Sequence, residues 1–256
     1  MATSDSYLQD YRVCRSHGNY NEIFQAAISN KWSSKINLSS VKSCLTVGPG
    51  AGVREVPFLK QCAANISKLI AIEPDHESAE SLRTRLAEDL RGVDSQVIET
   101  YIESWKDMGD QVDLVIMMLV LYYIQPNERK ELYKKIRDQW LAPGGRVVVA
   151  NMSRTKCPGN IMELFVRLRA PFLDWEEIEA ELLEAGFTKE YADEIQCERR
   201  FASMEEEQFL LHIIQHLAEK PVTPEDVRGV IEELFPEGKT DQMFFTLGVF
   251  QKAEWA

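Results

Sequence analysis

The chain has 256 residues, 45% apolar and 27% charged, an ordinary globular composition long enough to bury a sizeable core, which excludes disorder as the starting expectation. Its formal net charge is −12 and no Lys/Arg cluster breaks the acidic pattern, which argues against nucleic acid as a partner, because phosphate binding needs a basic surface. Cys14, Cys44, Cys62, Cys157 and Cys197 are scattered without a C-x-x-C pair, predicting reduced thiols in a cytoplasmic protein. No signal peptide is visible in the polar stretch from Met1 to Asp10, and the longest apolar run, Leu114 to Ile124, is too short to cross a bilayer.

A helical stretch is expected around Glu22 to Ile28, within an N-terminal region rich in Tyr, Arg, Asn and Ser. From Ser43 the pattern becomes regular. Ser43 to Val47 reads as a short buried strand running into Gly48-Pro49-Gly50-Ala51-Gly52. A helix is predicted from Glu55 to Asn65, a strand from Lys68 to Ile72 closed by Glu73-Pro74, and a helix from His76 to Leu90 with apolar residues at Ala79, Leu82, Leu86 and Leu90. Gln96 to Ile102 and Val112 to Leu121 are the third and fourth strands. The fourth is continuously apolar, as a strand covered on both faces must be. A helix over Asn127 to Trp140 and a turn at Leu141-Ala142-Pro143-Gly144-Gly145 lead into a fifth strand, Arg146 to Asn151. Alternating strands and helices mean βαβ units and a parallel sheet, with ligands at the carboxyl ends of the strands.

Beyond Asn151 the rhythm changes. A helix from Trp175 to Ala185 ends at Gly186, Phe187 to Ile195 reads as a strand, and Ser203 to Lys220 as a helix capped by Ser203 and Glu206. Thr223-Pro224-Glu225-Asp226 opens another helix, with cap, N1 proline and early acids in place, and Met243 to Gln251 closes the chain as a strand. The helical pair between Ser203 and Phe235 interrupts the sheet pattern and reads either as a cap over the site or as a packed surface hairpin.

The chemistry gathers around the glycine loop. Gly48 and Gly50 allow a tight turn and close approach of a ligand, and a helix N-terminus with free N–H groups follows. Glu73, at the end of the next strand, can accept hydrogen bonds from both hydroxyls of a ribose. A dinucleotide fingerprint would place its third glycine at residue 53, which is Val53, and no P-loop lysine follows.

The G-x-G-x-G spacing, the acid Glu73, Val112-Asp113-Leu114-Val115-Ile116 and the Pro143-Gly144-Gly145 turn together resemble the class I S-adenosylmethionine-dependent methyltransferases, over roughly residues 41 to 151. The resemblance implies an α/β, Rossmann-like, seven-stranded and mostly parallel sheet flanked by helices. It also implies S-adenosyl-L-methionine as cofactor and S-adenosyl-L-homocysteine as product. Thr46 stands where many members of that family carry an acid. On this reading residues 1–40 are an N-terminal helical cap, residues 41–256 the methyltransferase domain, and about 203–236 a helical insertion. The cofactor side takes Gly48, Pro49, Gly50, Gly52, Glu73, Pro74, Ser104, Trp105 and Leu119, with Glu103 to Trp105 lying where adenine packs in such proteins.

Leu119-Val120-Leu121-Tyr122-Tyr123-Ile124 is similar to a segment of the histamine N-methyltransferase group, as are Tyr7, Tyr11, His17 and Glu22 near the start and Phe244-Phe245-Thr246-Leu247 near the end. That group holds its substrate with a glutamate, a glutamine and an asparagine. Glu22 matches the first, whereas Leu119 and Phe245 occupy the other two positions, which argues against histamine itself. The resemblance implies substrate contacts from Tyr7, Tyr11, Glu22, Leu119, Tyr122, Tyr123 and Phe245, with Glu22, His17 or Tyr122 nearest the reaction. The methyl acceptor expected is a small molecule, either a biogenic amine or N-heterocycle, or a phenol or carboxylic acid methylated on oxygen. A non-catalytic scaffold that binds the cofactor is the third reading. No cluster has metal-ligand spacing, so no metal is expected, and a monomer without membrane or nucleic-acid partners is the expected form.

Overall fold

The computed structural model describes residues 19–106, 109–153, 160–170, 172–200, 210–211, 213–215, 218, 220–235 and 240–253. Seven strands form one sheet in the order β3-β2-β1-β4-β5-β7-β6. They are β1 (Ser43–Val47), β2 (Lys68–Ile72), β3 (Asp94–Ile98), β4 (Val112–Met118), β5 (Leu141–Met152), β6 (Phe187–Arg200) and β7 (Thr240–Lys252). The first five pair in parallel, while β7 runs antiparallel to both β5 and β6. This is the mostly parallel, helix-flanked sheet expected from the sequence.

Helices cover both faces. They are α1 (Tyr20–Ala27), α2 (Glu55–Cys62), α3 (His76–Asp89), α4 (Pro126–Lys135), α5 (Asn160–Arg167), α6 (Trp175–Glu184) and α7 (Pro224–Leu234). β4 shows why its sequence has no polar alternation. Leu114, Ile116 and Met118 enter one apolar cluster with residues of α1, α2, α3, α5 and α7, and Val115 and Met117 enter another with α4 and α6. Both sides of the pleat are therefore dry. Local chemistry fixes several helix starts. The Asp75 carboxylate accepts the Ser78 N–H ahead of α3, and capping boxes open α6 (Asp174 with Glu177) and α7 (Thr223 with Asp226).

Several boundaries differ from the sequence expectation for physical reasons. β3 covers Asp94–Ile98 because it pairs residue for residue with Lys68–Ile72 and ends level with β2, so residues 99–102 form the loop beyond it. β4 stops at Met118, where Leu119 takes a left-handed φ of 57°. The 141–145 turn is a bulge inside β5, since Val112 pairs with Leu141 and Leu114 with Arg146. Helix α5 went unanticipated. Its buried Ile161, Leu164 and Phe165 share one face, and the Asp241 carboxylate on β7 accepts the Ile161 N–H at 2.9 Å, a cap supplied from far along the chain.

The described part of the N-terminal region is built into the core. Asn19 exchanges hydrogen bonds with Glu198 on β6, the Trp32 indole N–H donates to Asp193, and Lys31 pairs with Asp193 at 2.7 Å. Tyr7, Tyr11 and His17 lie outside the described residues, as does most of the helix expected over 203–220. Cys44 and Cys62 are free, buried thiols, and Cys197 is buried as well. Among the described residues no helix is long and apolar enough to cross a membrane.

Candidate functional site

A cavity of about 340 Å³ opens at the carboxyl ends of β1, β2 and β4. Its floor is the glycine loop. Gly48 has a φ of 57°, its N–H donates to the Ile72 carbonyl at 2.8 Å, and a Cβ there would stand 2.3 Å from Val120 Cγ2. No residue larger than glycine fits between the first and fourth strand ends. Gly50 is also left-handed, yet a Cβ on it would meet nothing within 4 Å, so its backbone faces open space where a ligand can lie against it. Gly52 has a different task. It does not line the cavity, and a Cβ there would strike Leu82 and Val56, so its absence of side chain lets α2 pack on α3.

Glu73 lies on the wall beside this loop and is only 6% exposed. Its Oε2 accepts the Gly50 N–H at 2.8 Å and its Oε1 accepts the Asp75 N–H at 3.1 Å. Burial pushes its carboxyl above the usual range, and the two N–H donors and the Asp75 charge partly counter and partly add to that effect. Each oxygen keeps a lone pair for a further donor, so the carboxylate is locked in place and still able to accept from ribose hydroxyls.

Glu55, the first residue of α2, was not anticipated as a site residue. It lines the same cavity, is 3% exposed, and its Oε2 has no hydrogen-bond partner among the described residues. Burial pushes its carboxyl up to about 7, with Arg54 and the backbone N–H groups of residues 54 and 55 pulling it down and Glu73 adding to the rise. The available signal was an acid placed directly after a glycine loop, on a helix whose other inward residues, Val56, Phe58 and Leu59, are apolar.

The opposite wall is Met118 to Val120 with Tyr122, Tyr123 and Ile124. Leu119 keeps its left-handed backbone through its N–H bond to the Ala150 carbonyl at 2.8 Å, and the chain then turns through Leu121–Tyr123. That turn sets the two tyrosine rings 4.5 Å apart and stacks Tyr122 on Phe172 at 5.6 Å. The third side is Tyr101, Ile102 and Glu103, with Tyr101 67% exposed at the rim.

The expected site residues divide accordingly. Gly48, Pro49, Gly50, Glu73, Pro74, Leu119, Tyr122 and Tyr123 line the cavity together. Ser104 and Trp105 do not. Because β3 ends early, the loop has already turned by residue 104, and Trp105 is buried against Trp140 at 5.1 Å. Phe245 is not in the cavity either, since its ring packs on Phe24 and Tyr20 in the core. Glu22 is exposed on α1 and does not line the cavity. No described residue of the 203–236 insertion lines it; α7 spends its apolar stripe, Val227, Ile231 and Leu234, in the core cluster shared with α5. His76, Glu80 and Glu99 bring donor atoms within 4.8 Å of one another on the surface, but Arg83 pairs with both acids and offsets part of their charge.

Residues 44–145 match the family described as methyltransferase domain. S-adenosylmethionine is the cofactor of such a domain, and the cavity fits it, with an open glycine backbone, a braced carboxylate for a ribose and apolar walls from Ile72, Ile102 and Met118. No curated protein matches the chain in sequence. A candidate methyltransferase from Bacillus halodurans superimposes with a TM-score of 0.60 at 15% identity, over 88% of this chain and 98% of the other. The N-methyltransferase NodS from Bradyrhizobium japonicum, solved with S-adenosyl-L-homocysteine, gives 0.51 at 16% identity, over 90% and 84%. The [4+2]-cyclase SpnF gives 0.53 at 16% identity, over 93% and 81%. At such identities the likeness speaks for the fold, and function has to be argued from the site.

Proposed function

We propose that this protein methylates a small molecule on nitrogen, the acceptor being an amine or N-heterocycle. The observation that carries the proposal is the shared cavity, in which Glu73 is braced on Gly50 at one end and Tyr122 and Tyr123 form an aromatic face at the other. When bound, the cofactor supplies an electrophilic methyl group on a sulfonium whose departing thioether is neutral. No acid is therefore needed to assist departure, and the protein acts mainly by holding the reacting atoms in line. Glu73 and the Gly48–Gly50 backbone fix the nucleoside half. The tyrosine pair presents ring faces that attract a cationic or electron-poor acceptor. Four acids, Glu55, Glu73, Asp75 and Glu103, against the one cation Arg54 make the described lining net acidic, which favours an amine over a carboxylic acid. Glu22 is exposed on α1 and outside the described lining, and the proposal gives it no part as substrate anchor or proton acceptor.

A neutral phenol is the competing acceptor, favoured by the apolar run Met118, Leu119 and Val120 on one wall. Calorimetric titration with S-adenosylmethionine, S-adenosylhomocysteine and NAD, followed by a methyl-transfer screen of amines, N-heterocycles, phenols and histamine, decides between them. Turnover confined to amines or N-heterocycles supports the proposal, and turnover confined to phenols replaces it with O-methylation. Binding of the adenosyl ligands with no turnover of any acceptor favours a scaffold role, and binding of NAD alone removes the methyltransferase reading of the cavity.

A further inference from the structure

We infer that Glu55 is the counter-charge for the ammonium group at the amino-acid end of bound S-adenosylmethionine. The inference rests on the cofactor reading above. A buried carboxyl oxygen without a donor is costly, and an apolar side chain of similar volume would pack at the start of α2 without that cost. Glu55 nevertheless places this buried, unmet oxygen on a residue of the cavity lining, in the stretch of wall it shares with Gly48, Pro49 and Gly50.

The surrounding charges point to a cation. Arg54 is the one cation in the described lining and acts electrostatically on Glu55, with its guanidinium over the rings of Tyr20 and Phe24 at 5.4 and 5.5 Å; the acids outnumber it. Glu73 acts electrostatically on Glu55, and Asp75 and Glu103 are the other acids lining the cavity. The cofactor offers two cationic groups, and only one can donate a hydrogen bond. The ammonium has N–H donors that satisfy an orphaned carboxylate oxygen, whereas the sulfonium has none. Glu73 is already held by two backbone N–H groups in the position suited to the ribose, which leaves Glu55 for the amino-acid end.

Pairing with an ammonium favours the ionised form of Glu55. Near neutral pH, binding therefore converts the fraction of Glu55 that is –COOH to –COO⁻ and releases the proton to buffer. Affinity falls as pH drops below about 7, by up to about tenfold per pH unit.

The test is calorimetry on the full chain at pH 6.5, in two buffers of different ionisation enthalpy. Three probes separate the sources of any effect. S-adenosylmethionine carries both cations, S-adenosylhomocysteine only the ammonium, and 5′-methylthioadenosine neither. Glu55→Gln is expected to weaken the first two alike, by about 10- to 100-fold, and to leave the third unchanged. In the unaltered protein the first two release protons and the third does not; in Glu55→Gln the proton release disappears. Loss confined to S-adenosylmethionine would assign Glu55 to the sulfonium and overturn the inference, as would equal loss for all three or loss for none. Should Glu55→Gln fail to fold by circular dichroism, the proton release of the unaltered protein decides alone. Failure of the unaltered protein to bind any of the three probes would defeat the cofactor reading itself, a result distinct from every outcome that bears on Glu55.

Discussion

Glu55 also makes a prediction that requires no ligand. In the unfolded chain its carboxyl titrates near 4.5, and in the folded protein burial raises that to about 7. At about 1.4 kcal/mol per unit, the shift is worth about 3 kcal/mol. A carboxyl raised on folding favours the native state while protonated. Its contribution is therefore fully present below pH 4.5 and is lost as pH rises toward about 7. Glu55→Gln removes the titration but keeps the size of the side chain. The variant should match the unaltered protein near pH 4.5 and become more stable by up to about 3 kcal/mol at pH 8, the remaining carboxylates cancelling in the difference. Urea unfolding of both proteins without ligand, at half-unit steps from pH 4.5 to 8, measures this directly. A difference that stays constant across the range, or one that grows toward acid, would refute the reasoning.

Three further outcomes are expected. Gly48→Ala should cost about 2–5 kcal/mol, from a strained left-handed φ and the Cβ forced against Val120; thermal melts should show partial recovery when Val120→Ala is added, and no recovery would mean that backbone strain alone carries the loss. Glu181→Leu leaves Arg129 buried at the α4–α6 contact without its bidentate partner, and should lower stability by about 3 kcal/mol in the same assay. Glu73→Ala should weaken S-adenosylmethionine binding more than tenfold by calorimetry (about 1.4 kcal/mol or more), while Glu22→Ala leaves it within error; equal effects would remove Glu73 from the ribose.

Much of this protein was legible locally. β1 and β2 occupy the very residues that their apolar runs predict, because a short buried strand between turn signals has few other ways to lie. The caps at Thr223 and Asp226 mark α7 for a similar reason, since the hydrogen bonds that start a helix come from residues three apart. The meeting of the glycine loop with the end of β2, Gly48 on Ile72 and Gly50 on Glu73, was readable too, because a βα turn and the end of the adjacent strand are neighbours in any parallel sheet.

What only the tertiary structure decided is which way side chains turn once elements meet. The pairing of β3 with β2 ended that strand at Ile98, and the shift moved Tyr101, Ile102 and Glu103 into the cavity and Trp105 onto Trp140. Packing of α1 against β7 drew Phe245 into the core beside Phe24 and left Glu22 in solvent. Glu55 reads in sequence as an ordinary acid in a first helical turn, where the helix dipole welcomes it. Its burial with an unmet oxygen depends on the strands and loops that close around it, contacts made by residues distant in the chain. Periodicity and turn chemistry act over a few residues and determined the elements and the glycine–acid pair; burial and charge environment are sums over the whole fold, so the site's chemistry emerged only there.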